Sequence, residues 1–297
     1  MARECTLCDN PEPYLALLRS TPAKTVCPNF YLLDHARGCN FNCSYCFLRD
    51  SEYNRKERRV FGDLKRLKQE LRVWISQQDL ETYLANAGNM TDSLTFEKER
   101  PMWGELIEFM RENAEAIDKP HCLLVVTKAG LDLCGAFLER PPCNNVIVSF
   151  SINAADAARD HEPGAAATPD RLAAADRLKK MGWRVRVRMD PMIKGYDYSS
   201  VTEAVRDIAP ERVTLGTLRA DPTLLPEVRD VDIFQELDEP EAESIARYPL
   251  ETRLAMYRPA VERLRDVTSL GLCEETEDVW AALGLDYINK TCNCNPF

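Results

Sequence analysis

Short apolar runs rich in β-branched residues alternate along the chain with stretches whose apolar positions recur every three or four residues. Residues 29–35 read as a first strand. Residues 60–75 read as a helix, because Leu64, Leu67, Leu71, Trp74 and Ile75 share one face at helical spacing. Residues 83–87 form a weaker strand pattern, 91–96 follow neither period, and 103–117 read as a helix centred on Leu106, Ile107 and Met110. Four more strands are predicted at 122–126, 146–152, 184–189 and 212–218, separated by helical patterns at 131–138, 169–181 and 199–208.

Alternation of this kind predicts an α/β fold with a parallel sheet, since parallel neighbours need a crossover that a helix usually supplies. Six strand–helix units suit a doubly wound sheet or an incomplete barrel. Residues 221–251 then hold ten carboxylates against two arginines. The helical pattern over 241–268 is either a last covering helix or a solvated acidic face. No repeat or low-complexity linker stands out, so one central domain is expected over 29–268. Short cysteine-bearing extensions flank it at 1–28 and 269–297, the second opening on a strand-like run at 269–274.

Composition narrows the function. The chain has 297 residues, 45% of them hydrophobic, enough to bury a full core. With 48 acidic and 38 basic side chains the net charge is −10, which argues against a protein that coats nucleic acid through a broad positive field. The aliphatic run at 123–126 is far short of the roughly 20 residues a membrane span needs, so no membrane association is expected. The first residues carry no apolar secretory stretch. A reducing, cytoplasmic compartment follows as the expectation, with the thiols free or metal-bound.

Twelve cysteines are the unusual feature. Cys122, Cys134 and Cys143 lie among apolar residues and read as small buried hydrophobes. Cys39, Cys43 and Cys46 form a tight group just after the first strand, in Gly38-Cys39-Asn40-Phe41-Asn42-Cys43-Ser44-Tyr45-Cys46-Phe47-Leu48. Thiolates are the ligands that iron–sulfur clusters prefer, and three of them on a [4Fe–4S] cluster leave one iron open for a substrate or cofactor. A zinc knuckle with a remote fourth ligand is the alternative, although zinc sites usually draw their ligands from separated pairs.

This Cys-x3-Cys-x2-Cys spacing, with Tyr45 before the last cysteine, resembles the radical S-adenosylmethionine superfamily. Further landmarks occur in order: Thr127-Lys128, Ser149-x-Ser151, Glu162-Pro163-Gly164, Arg171-Leu172 and Val187-Arg188-x-Asp190-Pro191-Met192-Ile193. Together they resemble the spore photoproduct lyase family over roughly residues 31–217. The resemblance implies a partial parallel (β/α)6 TIM-type barrel. It also implies a [4Fe–4S] cluster on Cys39, Cys43 and Cys46, with Tyr45 among the catalytic residues, S-adenosyl-L-methionine on the open iron, and reductive cleavage to a 5′-deoxyadenosyl radical that abstracts hydrogen from a substrate. A reductant such as flavodoxin or ferredoxin is implied as a partner.

Candidate cofactor-binding residues follow from the same reading. Lys128 lies just past the third strand, on the catalytic rim, and the resemblance gives it the methionyl carboxylate. Ser149, Ser151 and Asn153 alternate at the end of the fourth strand and share one face, which suits either a polar ligand or a water-filled interior. Arg186 and Arg188 likewise share a face, and if it is interior each needs an anionic partner. Arg188 is the one placed with the cofactor, as is Phe47.

The chain also departs from the family. In the segment 85–93 Asn89 stands where the lyase has a hydrogen-donating cysteine, with Thr91-Asp92 following, and Phe47 stands where it has a second tyrosine. An efficient thymine-dimer lyase is therefore not expected. Residues 49–72 hold nine basic and five acidic side chains, a stripe that suits a phosphate backbone or a solvated helix. A small-molecule or peptide substrate is favoured over lyase-like repair of nucleic acid, and a non-catalytic metal-stabilised binding protein is the reading from another class. Near the ends, Cys5, Cys8, Cys273, Cys292 and Cys294 are candidates for a second metal, iron–sulfur or zinc. His35, His121 and His161 read as structural, with His35 nearest the cluster loop.

Overall fold

The computed structural model describes residues 5–18, 24–49, 58–220, 232–238 and 245–297. Seven strands run parallel and lie side by side in chain order: Phe30–Leu33, Leu84–Asn86, Cys122–Thr127, Val146–Ser151, Arg184–Met192, Arg212–Thr217 and Ser269–Leu272. They are called the first to the seventh parallel strand below. Leu15–Leu18 adds an antiparallel edge beside the first. The predicted strands thus recur within a few residues, and the strand-like run at 269–274 joins the main sheet.

Helices connect the strands. Trp103–Asn113, Thr168–Lys180 and Ser199–Ile208 match their predicted positions closely. The helix expected over 60–75 is shorter, Leu64–Ser76, because Asp63 caps it by accepting from the Arg66 N–H at 2.9 Å. The residues before the cap form a strand, Arg58–Phe61, paired in parallel with Cys5–Cys8 and antiparallel with Ala36–Arg37. The pattern at 131–138 resolves into two short turns, Leu131–Leu133 and Gly135–Leu138. Of the acidic stretch, residues 221–231 and 239–244 lie outside the described residues, and the helix expected over 241–268 runs from Leu250 to Leu264.

Strand alternation divides the sheet into two unlike faces. Val146, Val148, Phe150, Val185, Val187 and Met189 are buried in the main core against Ala174, Leu178 and Val205 of the helices. The opposite face carries Ser149, Ser151, Arg186, Arg188 and Thr214. Register sets Arg186 beside Ser149 and Arg212, and Arg188 beside Ser151 and Thr214.

The sheet does not close into a barrel among the described residues. Its open side is crossed by a short antiparallel ladder in which Thr25–Val26 pairs with Glu275–Thr276, Val26 facing Glu275. The C-terminal tail underlies the N-terminal ends of the fifth and sixth strands. Arg186 Nη1 donates to the carbonyls of Asn293 and Asn295, each at 2.7 Å. Arg212 Nη1 reaches Cys292 at 2.8 Å and Asn295 at 2.9 Å, and Arg184 Nη2 reaches Pro296 at 2.9 Å.

Candidate active site

The loop bearing Cys39, Cys43 and Cys46 leaves the strand Ala36–Arg37 at the rim formed by the C-terminal ends of the parallel strands. Its path needs left-handed backbone at Gly38 (φ 82°) and Asn42 (φ 50°), residue types that tolerate it. Neighbouring segments fix it on two sides. The Asn40 N–H donates to Thr95 Oγ1 at 3.1 Å and the Gly38 N–H to the Met90 carbonyl at 3.1 Å. On the other side, the Ser44 N–H donates to the His161 carbonyl and the Gly164 N–H to that of Phe41. Gly164 approaches so closely that a Cβ would stand 2.7 Å from the Asn40 carbonyl oxygen.

The thiols are well shielded. Burial pushes Cys39 and Cys43 up to about 12, so a metal must displace their protons to bind. A cation stands ready beside them. Lys128, just past the third parallel strand, holds its Nζ 5.7 Å from the centre of the Tyr45 ring. Burial works against its charge, yet Glu162 and Cys43 outweigh that and keep its pKa above the ordinary value.

Glu162 organises this region. It pairs with Arg171 at 2.5 Å, both side chains fully buried, and accepts hydrogen bonds from the Tyr45 hydroxyl and from Asn153 Nδ2 at 3.2 Å. Burial would raise its pKa, but Lys128 and Arg171 hold it below the usual carboxylate range. Arg171 also donates to the carbonyls of Ser151 at 3.0 Å and Ala166 at 2.7 Å, tying the loop to the end of the fourth strand. On the other flank, Asp92 accepts from Thr127 Oγ1 at 2.9 Å and from the Lys128 N–H at 2.7 Å.

The structure thus brings Cys39, Cys43, Cys46, Tyr45 and Lys128 together. Asn153 joins them as a brace rather than a free ligand: its Oδ1 accepts from Tyr198 at 2.7 Å and from the Ala154 N–H at 3.0 Å. The Ser151 hydroxyl donates to the Asp190 carbonyl at 3.4 Å, whereas Ser149 Oγ is fully buried with no hydrogen-bond partner among the described residues. Phe47 sits in the short turn Phe47–Arg49, 40% exposed. Asn89 lies partly exposed in the segment that touches the cluster loop.

Arg186 and Arg188 do face one side, with different partners. Arg186 holds the C-terminal tail, while Arg188 binds Asp190 and donates to Cys273 Sγ at 3.3 Å. Arg219 completes the group, with Nη1 2.6 Å from Asp190 Oδ1. Burial opposes the charge of Asp190, but Arg219 and Arg188 drive its pKa far down. Glu162, Arg171 and Arg219 were given no role by the sequence reading. The first two stood in landmark motifs, and nothing in the sequence singles out Arg219.

Of the terminal cysteines, the strand Cys5–Cys8 belongs to the small sheet beside Arg58–Phe61, and Cys273, Cys292 and Cys294 lie at the open side of the main sheet. His35 donates from Nε2 to the Ala87 carbonyl at 3.2 Å and packs edge-on against Trp103. His161 is bonded to Ser44 Oγ and Tyr196, so it braces the cluster loop. Basic residues of the 49–72 stripe are used internally: Arg66 binds the carbonyls of Asn10 and Glu12, Lys68 pairs with Glu105, and Arg72 lies over the Phe109 ring.

A family model described as spore photoproduct lyase matches residues 20–214. Among solved structures, a spore photoproduct lyase with a cysteine-to-alanine mutation aligns at TM-score 0.72 and 16% identity, covering 91% of this chain and 82% of that one. Spore photoproduct lyase complexed with dinucleoside spore photoproduct aligns at 0.68 and 17%, with the same coverage. Streptococcus suis SuiB bound to precursor peptide SuiA aligns at 0.53 and 14%, covering 84% of this chain and 49% of that chain. These likenesses concern the fold. No curated protein matches the chain. Among the described residues, no helix is long and apolar enough to cross a membrane.

Proposed function

Since the chain belongs to the spore photoproduct lyase family and is a radical S-adenosylmethionine enzyme, we propose that Cys39, Cys43 and Cys46 hold a [4Fe–4S] cluster whose open iron takes S-adenosyl-L-methionine. The observation that carries this reading is the meeting of the buried Cys43 and the half-buried Cys39 and Cys46 with the half-buried cation Lys128 at the C-terminal rim of a parallel sheet. Parallel α/β sheets place their ligands at that rim. The residues present fit the group: three thiols stand on one loop whose backbone is held from two sides, and Gly164 packs against that backbone where a Cβ would collide.

Held by Cys39, Cys43 and Cys46, such a cluster would supply the electron for reductive cleavage of S-adenosyl-L-methionine and so for hydrogen abstraction from the substrate. The protein's own part is binding and exclusion of water. Lys128 offers an ammonium group to the methionyl carboxylate or to the cluster's thiolates. Glu162, itself neutralised by Arg171, fixes the Tyr45 ring through its hydroxyl and braces Asn153. The loop therefore cannot drift when its thiols lose their protons.

The substrate is read as a small molecule or peptide, with a flavodoxin- or ferredoxin-type reductant in the cytoplasm. Two features support this over photoproduct repair: the segment around Asn89 offers no thiol, and Arg66, Lys68 and Arg72 of the basic stripe, whose residues 50–57 lie outside the described residues, are engaged in internal contacts. The thiols near the chain ends are read as holding a second centre, iron–sulfur or zinc.

The test is anaerobic formation of 5′-deoxyadenosine from S-adenosyl-L-methionine and a low-potential reductant. The parent chain should make it, and Cys43→Ala should lower the yield by about 100-fold or more. Product that persists in this variant sinks the open-cluster assignment. Many turnovers on dinucleoside spore photoproduct would overturn the substrate reading alone.

A further inference from the structure

Four thiols outside the catalytic loop come from three separate segments and meet at the open side of the sheet. Cys27 follows the ladder strand Thr25–Val26, whose register continues to place it opposite Glu274. Cys273 follows the seventh parallel strand, and its Sγ accepts from Nη2 of Arg188 at 3.3 Å and of Arg219 at 3.2 Å. Cys292 and Cys294 belong to the tail. That tail lies so close to Gly271 that a Cβ there would stand 2.0 Å from the Thr291 carbonyl oxygen and 2.7 Å from the Cα of Cys292. Arg188 is within electrostatic reach of all four thiols, and Cys27 within reach of both Cys292 and Cys294.

A second observation points to a ligand. Buried polar atoms with no hydrogen-bond partner among the described residues gather here: Ser149 Oγ, Thr214 Oγ1, Nε of Arg186 and of Arg212, and both amide atoms of Asn293. Ser149 and Arg186 are fully buried, Thr214 is 1% exposed and Asn293 2%. Natural proteins rarely leave so many buried donors and acceptors together unless a non-protein group or water completes them. Thiolates on a metal carry net negative charge. Of the four guanidinium groups on this face, those of Arg186, Arg188 and Arg219 are paired with Glu211, Asp190 and Glu274, and that of Arg212, bound to tail carbonyls, adds a positive charge. N–H groups aimed at a ligating sulfur, as Arg188 and Arg219 are, stabilise it as thiolate and tune a cluster's potential.

We propose that Cys27, Cys273, Cys292 and Cys294 bind a second iron–sulfur cluster, which staples the segment before the first parallel strand and the tail to the seventh strand. This gives the second centre a defined ligand set with Cys27 in it and Cys5 and Cys8 outside it. It rests on the reading of a second centre, not on radical chemistry. A cluster is favoured over one zinc ion by the two arginine N–H groups that reach Cys273 Sγ, since such contacts to a ligating sulfur tune a cluster's potential, a property that redox-inert zinc does not use. Binding releases the four thiol protons to solvent, and two ferric ions, two ferrous ions and four sulfides make up the core without any net change of oxidation state.

The experiment uses the full chain with Cys39, Cys43 and Cys46 all replaced by alanine, reconstituted anaerobically with an equal mixture of ferric and ferrous iron and with sulfide. It should keep about four irons and four sulfides per chain, with a visible charge-transfer band. Adding Cys27→Ser and Cys294→Ser should remove them. The converse protein, with the triad intact and only Cys27→Ser and Cys294→Ser, should fall from about eight irons to about four and still form 5′-deoxyadenosine. It keeps the test decisive if the larger set of substitutions fails to fold. A triad-free chain that binds no iron, or binds zinc instead, overturns the proposal, as does an iron content indifferent to Cys27 and Cys294. Iron on the triad-free chain combined with no 5′-deoxyadenosine from the parent upholds the second site while the catalytic reading fails.

Discussion

Replacing Arg171 by methionine isolates what holds the cluster loop in place. The substitution keeps an unbranched chain of similar reach in a fully buried site but deletes the guanidinium paired with Glu162 at 2.5 Å. It also strips hydrogen bonds from the carbonyls of Ser151 and Ala166. Breaking one partner out of a buried pair typically costs about 3–5 kcal/mol, because the remaining charge stays buried. Each orphaned carbonyl adds about 1 kcal/mol. Lys128, Tyr45 and Asn153 still face Glu162 and offset part of this, so Arg171→Met is expected to cost about 3–5 kcal/mol in total.

The assay is anaerobic urea unfolding of the iron-loaded chain, run as a double-mutant cycle with Glu162→Gln. The double variant should recover about 2 kcal/mol relative to the sum of the two single changes, since the neutral amide no longer needs the guanidinium. The pH dependence has a definite sign. Glu162 has its pKa depressed by folding, so its stabilisation is present above the unfolded value of 4.5 and is lost as pH falls below it. The gap between parent and Arg171→Met should therefore narrow below about pH 4. A variant within about 0.5 kcal/mol of the parent at neutral pH would refute the account of Glu162 and Arg171 as the loop's anchor.

Gly164→Ala should displace the Asn40–Phe41 backbone and cost about 1–3 kcal/mol. Iron per chain after anaerobic purification should fall at least about twofold by the same reasoning, and an unchanged ratio would show that the close approach is unimportant. His121 is wedged between Trp74 and Tyr83, with ring centres 4.6 and 4.9 Å away, and burial lowers its pKa to about 4, as it does for His35. Both must stay neutral in the fold, so stability is complete above the unfolded value of 6.5 and declines as pH falls toward 4. His121→Phe keeps the ring stack and should remove about half of that decline; urea midpoints at pH 7, 6 and 5 measure it.

What the sequence made legible follows from the range of the interactions involved. Strands such as Cys122–Thr127 and helices such as Ser199–Ile208 announce themselves through local period, and the triad through local spacing. Val60 and Phe61 fit the helical stripe as well as they fit a strand, and the pairing with Cys5–Cys8 that decides between them is invisible to periodicity. The alternation of Arg186 with Arg188 correctly placed both on one face. It could not reveal that Arg186 is held by carbonyls more than a hundred residues away in the tail. Glu162 and Arg171 were visible as motifs without a role, because the role exists only once the loop after the fourth strand folds back onto the cluster loop. Cys27 is an isolated thiol in the sequence, and only the ladder across the open side brings it to the others.

The clasp of Arg184, Arg186 and Arg212 on the tail has a consequence for solvent. Backbone from residues 292–297 is bound at the N-terminal ends of the fifth and sixth strands, so the chain's own end serves as a plug on the side away from the cluster loop. Peeling that plug away would bare three guanidinium groups at once, which ties the solvation of the sheet's lower edge to the last six residues of the sequence.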